Sequence, residues 1–396
     1  MYVGNRLVVV LNTHDAIREA FRNPDIAARP ENSTRKKLKN GHGIATANGD
    51  AWYQQRKFSA VTLSNFGIGK SSFQDQIAEE VKAVAAEFNK FDEKPFDPTL
   101  FLSNATSNVI CSVEKIGSGL FQIFVPAFEY IHPNIDDELL QINIEQKEFI
   151  GGIVSDHKKT FDPDNLRDYV DVYLNEIQRN QGSSKSSELN DPNLLSTLVQ
   201  LFVTGTETAS TTIRWILLYL IANPDVQLRV QNEIDHVVGR NRLPRLSDRS
   251  QMPYTQATIH EVQRISSVVV LGIPHMTSRD TTVKGYTVPQ GSLVVPNMYK
   301  VDHDQAVWNQ PWELKPERFI DENGTFFPSE NVLPFSVGRR SCIGENLAKK
   351  EMFIFVSHLL HQFTFKKPKD EILSLEGIMG GAYTPSDYKV QAIKRI

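Results

Sequence analysis

An apolar stretch from about Leu194 to Ala222 limits what this chain can fold into more than any other feature. Read as a helix, it ends at Asn223-Pro224, because proline cannot continue the i→i−4 hydrogen-bond ladder. Its length would suit a membrane span. Glu207, Arg214 and a string of Thr and Ser residues argue against one, so the expectation is a helix buried at the centre of a globular body. The 396 residues are 40% hydrophobic and 23% charged, which supports a large core and one large domain or two to three average ones.

That helix carries Thr204-Gly205-Thr206-Glu207-Thr208 at its middle. Buried hydroxyls cost stability unless hydrogen-bonded. A threonine can bond the carbonyl four residues back and bend the helix, leaving room for a small ligand. Glu207 beside Thr208 adds a carboxylate for proton delivery. A kink holding ordered water explains the same residues equally well.

The second constraint is Pro334–Glu345, a Gly-punctuated loop that runs into a helix marked by Ala348, Met352, Phe355, Val356, Leu359 and Phe363. Cys342 sits just before that helix, where unpaired N–H groups favour negative charge, so its pKa is expected to fall and a thiolate to persist. Gly338 and Gly344 would let a flat ligand approach the backbone, and Arg340 adds a cation. The alternative is a buried structural cysteine.

Elsewhere the signals are local. Net charge is −4, which gives no global drive toward nucleic acid, and Arg35-Lys36-Lys37-Leu38-Lys39 reads as a solvated loop. Only Cys111 and Cys342 are present; they exclude a disulfide scaffold and a four-cysteine zinc site and suit a reducing compartment. Cys111 reads as core packing. Leu7–Leu11 is a strand-length run, too short to span a bilayer, and no signal peptide or anchor opens the sequence. Trp52 and Arg56 share a helix face. Glu261 and Arg264 form an i,i+3 pair worth roughly 0.2–0.5 kcal/mol if exposed. His275 follows Pro274, and Val283–Val295 reads as a hairpin around Gly285 to Gly291. Gly182–Ser187 reads as a surface loop. His358 and His361 have a metal-pair spacing but no third ligand in sight.

The ordered pattern Phe335-x-x-Gly338-x-Arg340-x-Cys342-x-Gly344 resembles the haem-binding signature of the cytochrome P450 family, with every fixed position filled. Trp52/Arg56, Thr204–Thr208, Glu261/Arg264, Arg318 within Pro316-Glu317-Arg318-Phe319, and Cys342 follow in that family's order. Asn48–Trp52 and Phe58 to Gly67 resemble the vertebrate-type microsomal group that includes drug-metabolising members. The resemblance implies a mainly α fold with small β-sheets, one P450 domain over 1–396, and haem b with its iron held by Cys342. It also implies that Phe335, Gly338 and Gly344 shape the haem-binding loop. Trp52, Arg56, His275 and Arg340 would meet the propionates. Glu261, Arg264 and Arg318 would form a structural triad, and Thr208 with Glu207 the oxygen-activation relay. Thr204 stands where the family has Ala or Gly, a departure at the pocket floor.

By the same resemblance the reaction is monooxygenation of an apolar substrate, xenobiotic, fatty acid or steroid-like. Electrons would come from NADPH-cytochrome P450 reductase, with cytochrome b5 a further candidate, docking near Arg339, Lys349 and Lys350. Phe202, Val203, Thr204, Val270, Leu271, Ile378 and Met379 are the pocket candidates. Members of the group sit at the endoplasmic reticulum membrane. This sequence lacks their amino-terminal anchor and is shortened around 113–120, a part of the substrate roof. It therefore reads as a truncated chain, which would be cytoplasmic without an anchor. A hydroperoxide isomerase of the same fold and a haem-binding remnant without turnover are the alternatives.

Overall fold

The computed structural model describes residues 1–4, 6–30, 41–64, 71–110, 135–181 and 187–395. The readings of Arg35–Lys39, Asn65–Gly67, Cys111, the shortened stretch 113–120 and 182–186 lie outside the described residues.

Helices dominate: α1 (His14–Arg22), α2 (Gly49–Leu63), α3 (Ser71–Asn89), α4 (Thr99–Ile110), α5 (Ile135–Lys159), α6 (Tyr169–Asn180), α7 (Asp191–Ala222), α8 (Pro224–Val238), α9 (Pro253–Ser266) and α10 (Glu345–Gln362). α7 has 32 residues and starts three residues earlier than the apolar run implies, because the Asn190 side chain caps it by accepting the Asn193 N–H. It packs against α4, α5, α9 and α10, and its second half is buried on all sides. That explains a helix apolar all round outside a bilayer: protein takes the place of lipid. No described helix is long and apolar enough to cross a membrane.

The strands are short and peripheral. β1 (Tyr2–Val3), β2 (Arg6–Leu11), β6 (Leu293–Pro296) and β3 (His275–Met276) form one sheet in that order, with β2 and β6 parallel. β4 (Thr281–Val283) and β5 (Tyr286–Val288) make the expected hairpin around Lys284 and Gly285, both at positive φ. The expected segment Val283–Val295 therefore divides, its last residues pairing with β2 instead. β7 (Phe363–Lys366) pairs with β10 (Gln391–Lys394), and β8 (Gly377–Met379) with β9 (Tyr383–Pro385). The β8–β9 hairpin is pinned to α7: Trp215 Nε1 donates to the Tyr383 carbonyl at 2.8 Å, and the two rings stack 5.6 Å apart.

Candidate functional site

The cysteine loop is closed by its own backbone. The Cys342 N–H donates to the Phe335 carbonyl at 2.9 Å, and the Ser341 N–H to the Gly338 carbonyl at 3.1 Å. Gly338 has φ +79°, and a β-carbon there would collide with the Phe21 carbonyl of α1. Only glycine fits. A β-carbon at Gly344 would start 3.8 Å from Cys342 Sγ, in the space beside the sulfur that a flat ligand needs.

Cys342 is exposed by area, yet protein crowds its other sides. Burial pushes its thiol up from the ordinary value; the Gly344 N–H pulls it down, Glu345 raises it and Arg56 lowers it. The expectation of a lowered pKa is therefore wrong for the chain alone. Helix α10 begins only at Glu345, and desolvation outweighs its dipole at the sulfur. A thiolate here has to come from ligation, since a coordinating metal deprotonates a thiol outright.

Beside the loop lies a positive surround. Trp52 is buried on α2, and its indole N–H has no partner among the described residues. The Arg340 guanidinium sits 3.9 Å from the Trp52 ring centre, and Arg339 5.5 Å. Arg340 donates to the carbonyls of Ala27 (2.9 Å) and Ala47 (2.8 Å). Arg56 donates to the Ser341 carbonyl at 2.7 Å, so it braces the cysteine loop. His275 is buried, stacked on Phe21 at 3.8 Å, and bonded through Nδ1 to the Ile26 carbonyl at 2.8 Å. Burial holds its pKa well below the usual value, helped by Arg29 and Arg340 and opposed by the Ile26 bond. With Nδ1–H donating, the neutral ring offers Nε2 only as an acceptor; meeting an anion would require the imidazolium.

Arg29 belongs to the same cluster and was not singled out from sequence. It donates to the carbonyls of Ile273 (2.9 Å) and Pro274 (2.8 Å). Asn48 ties it to Arg340: the Asn48 side-chain oxygen accepts the Arg29 N–H at 2.8 Å and an Arg340 donor at 3.3 Å. An arginine at the border of an Arg-Pro dipeptide carries no periodic signal, so only the fold reveals it. An orphaned buried N–H amid cations, next to an accessible sulfur, fits a flat dianion carrying a metal.

Glu261 and Arg264 are fully buried, their i,i+3 pair closed at 2.7 Å. Arg318 joins through Nε at 3.0 Å, and the Lys315 backbone N–H adds a bond to Glu261 at 3.1 Å. Arg264 also donates to the carbonyls of Asp302 and Pro311. The solvated-surface reading of this pair is excluded by burial.

On α7 the hydroxyls bond backward as expected: Thr204 to the Gln200 carbonyl and Thr208 to the Thr204 carbonyl, both at 2.7 Å. Thr206 Oγ1 is buried without a partner among the described residues. Glu207 and Thr204 are exposed and Thr208 partly so, and α7 is continuous through them. Of the pocket candidates, Phe202 and Val203 pack beside the Ile150–Leu198 cluster and Leu271 beside the β2/β6 cluster. Val270 is half-buried, its carbonyl accepting the Tyr299 N–H. Ile378 and Met379 stand largely exposed on β8.

His358 and His361 turn their Nε2 atoms to the carbonyls of Pro244 and Gly239, which ends the metal-pair reading. The one described cluster with metal spacing is His157, Asp168 and Asp171. There Asp168 already bonds His157, and Arg167 clamps Asp171.

A sequence model of the cytochrome P450 family matches residues 1–114 and 117–392. Cytochrome P450 2U1 of Homo sapiens is 37% identical across 100% of this chain and 78% of its own length. Cytochrome P450 2J5 of Mus musculus is 36% identical across 100% of this chain and 84% of its own. Cytochrome P450 2D14 of Bos taurus is 38% identical across 98% and 84%. With the helical body, the closed cysteine loop and the positive surround beside it, these matches place the chain in the cytochrome P450 family, as a haem b-binding monooxygenase.

Proposed function

We infer that this chain oxidises an apolar organic substrate with electrons passed from NADPH through a flavoprotein reductase, and that the Cys342 sulfur would hold the haem iron. The observation that carries the reading is the pairing of an accessible Cys342 sulfur with a buried Trp52 N–H that has no partner among the described residues, in a positive surround. Haem bound there supplies O2 activation and accepts electrons, chemistry that side chains lack.

The chain's own residues would do the rest. Trp52 and Arg340 would meet the propionates, Arg29 would join them, and His275 would do so once a propionate's charge restores the imidazolium that burial disfavours. Arg56 and the Phe335 carbonyl fix the loop that presents the sulfur. The Thr208 hydroxyl gives its proton to the Thr204 carbonyl at rest, so it faces the open side as an acceptor and must rotate to donate. Glu207, the exposed residue just before it in the chain, would refill it. Phe202, Val203, Val270 and Leu271 supply apolar contact, which suits a xenobiotic, fatty-acid or steroid-like substrate. Exposed Arg339 and the nearby Lys350 offer positive charge to a reductase or cytochrome b5, while Lys349 is already tied to Glu345 at 2.6 Å. We read 1–396 as one domain of a microsomal-type enzyme at the endoplasmic reticulum. The family match skips 115–116, inside the stretch read as shortened.

The reduced, carbon monoxide-bound protein should show the red-shifted Soret band of a thiolate complex, and Cys342→Ala should abolish it. A band of the histidine-ligated kind in the wild type sinks the assignment. Thr208→Ala should keep consuming reductant while diverting it to peroxide; an unchanged yield of product per NADPH removes the relay.

A further inference from the structure

A cleft of about 460 Å³ opens against residues 332–337, the stretch leading into the cysteine loop. That volume lies within the range of pockets enclosing a drug-sized ligand. One wall is a single face of α9, with Gln256, Ile259, His260 and Gln263 at spacings of three and four; Lys349, Met352 and Phe353 of α10 also line it.

Three polar side chains lining the cleft carry donors that meet no acceptor among the described residues. Gln263 is only 8% exposed, and its amide makes no hydrogen bond among the described residues. Its amide atoms stay within reach of the open cleft, where an occupant can bond them. His260 Nε2 accepts the Ser329 N–H at 3.3 Å, so the neutral ring carries its proton on Nδ1, where no described acceptor meets it. Burial, together with Lys349 and Arg264, pushes His260 down to about 4, so it stays a neutral donor. Arg249 bonds Gln256 Oε1 through Nε at 2.9 Å, and its terminal nitrogens meet no described acceptor. Burial lowers its pKa and no neighbouring acid offsets that. Lys349 is already matched by Glu345 and lies 5.5 Å from the Phe335 ring.

The two carboxylates that line the cleft are already paired, Glu345 with Lys349 and Glu330 with Arg18, and apolar walls flank the donors left over. We propose that this cleft binds a small organic carboxylate, its oxygens held by Arg249, His260 and Gln263 and its apolar body by Phe335, Met352 and Phe353. The two forked N–H groups of a guanidinium match a carboxylate's two oxygens. Because the Phe335 carbonyl holds the Cys342 N–H at 2.9 Å, the occupant touches the residue that seats Cys342. The proposal concerns a site apart from the oxygen-binding side and stands whatever substrate that side takes.

Haem-loaded protein is saturated with 4-phenylimidazole, which closes the oxygen-binding side, and titrated calorimetrically with 2-naphthoate. One site is expected, with a small Soret shift on filling. Arg249→Met should weaken it about tenfold, the loss of a charge-assisted contact. Arg249→Lys should restore part of that, Gln263→Leu should weaken binding a few-fold, and Lys369→Met, outside the cleft, should change nothing. Gln263→Leu removes no existing hydrogen bond, so it reads the site independently of any folding defect in Arg249→Met. Absence of saturable binding, or equal affinity in wild type, Arg249→Met and Gln263→Leu, overturns the proposal.

Discussion

Two charged clusters flank the core, and they differ in being closed or open. In the first, Glu261 is shared by Arg264, Arg318 and the Lys315 N–H, and Arg264 fills its remaining donors on carbonyls. In the second, Arg56 pairs with no described carboxylate, Arg29 and Arg340 both press down on His275, and the Trp52 N–H is left over. A closed cluster holds a fold together. An open one leaves a buried N–H without a partner among the described residues, a place for an anion, and that is the difference between scaffold and site.

The largest expected effect breaks the closed cluster. Glu261→Leu leaves Arg264 buried without its acid and should lower stability by about 3–5 kcal/mol in apoprotein and haem-loaded protein alike. Urea unfolding measures it. A loss under about 1 kcal/mol would mean that the pair behaves as a surface one.

Next is Asp302, a flaw in that cluster. Burial pushes its carboxyl up to about 8; the Ser267 bond and Arg264 oppose this, and Glu261 adds to it. An unfolded Asp ionises near 3.9. The raised folded value means that its contribution is full below about 4 and fades as pH rises through 8, by about 1.4 kcal/mol per pH unit between the two. Asp302→Asn should flatten that slope. Parallel stability–pH curves for the two proteins between pH 5 and 8 would show that Asp302 ionises freely.

The smallest stability effect sharpens the comparison from the other side. Trp52→Phe should cost the apoprotein only about 1 kcal/mol, the usual loss for a trimmed core side chain. Haem should nevertheless leave about tenfold faster, measured by transfer to an excess haem acceptor. Equal haem retention would mean that the indole N–H faces nothing.

Much of the closed cluster was legible in the sequence, because Glu261 and Arg264 are three residues apart on one helix. The open cluster was only half legible. Trp52 and Arg56 share a helix, but α2 turns Trp52 toward Arg340 and Arg56 toward Ser341. Arg29 gave no signal because its partners, Ile273 and Pro274, lie more than 240 residues away. The cleft beside Phe335 was invisible for the same reason, since its walls come from the turn before α9, from α9 and α10, and from the loop between them.

What the sequence determined by itself is local: the helix ending at Asn223-Pro224, the glycine-marked loop before α10, the backward-bonding threonines of α7 and the order of family motifs. These depend on neighbours within a turn or two. Only the tertiary structure decided which charges are matched and how each site residue ionises. Cys342 shows why. Its place before a helix predicts a lowered pKa, but desolvation is set by everything that packs around a side chain, and here it outweighs the dipole.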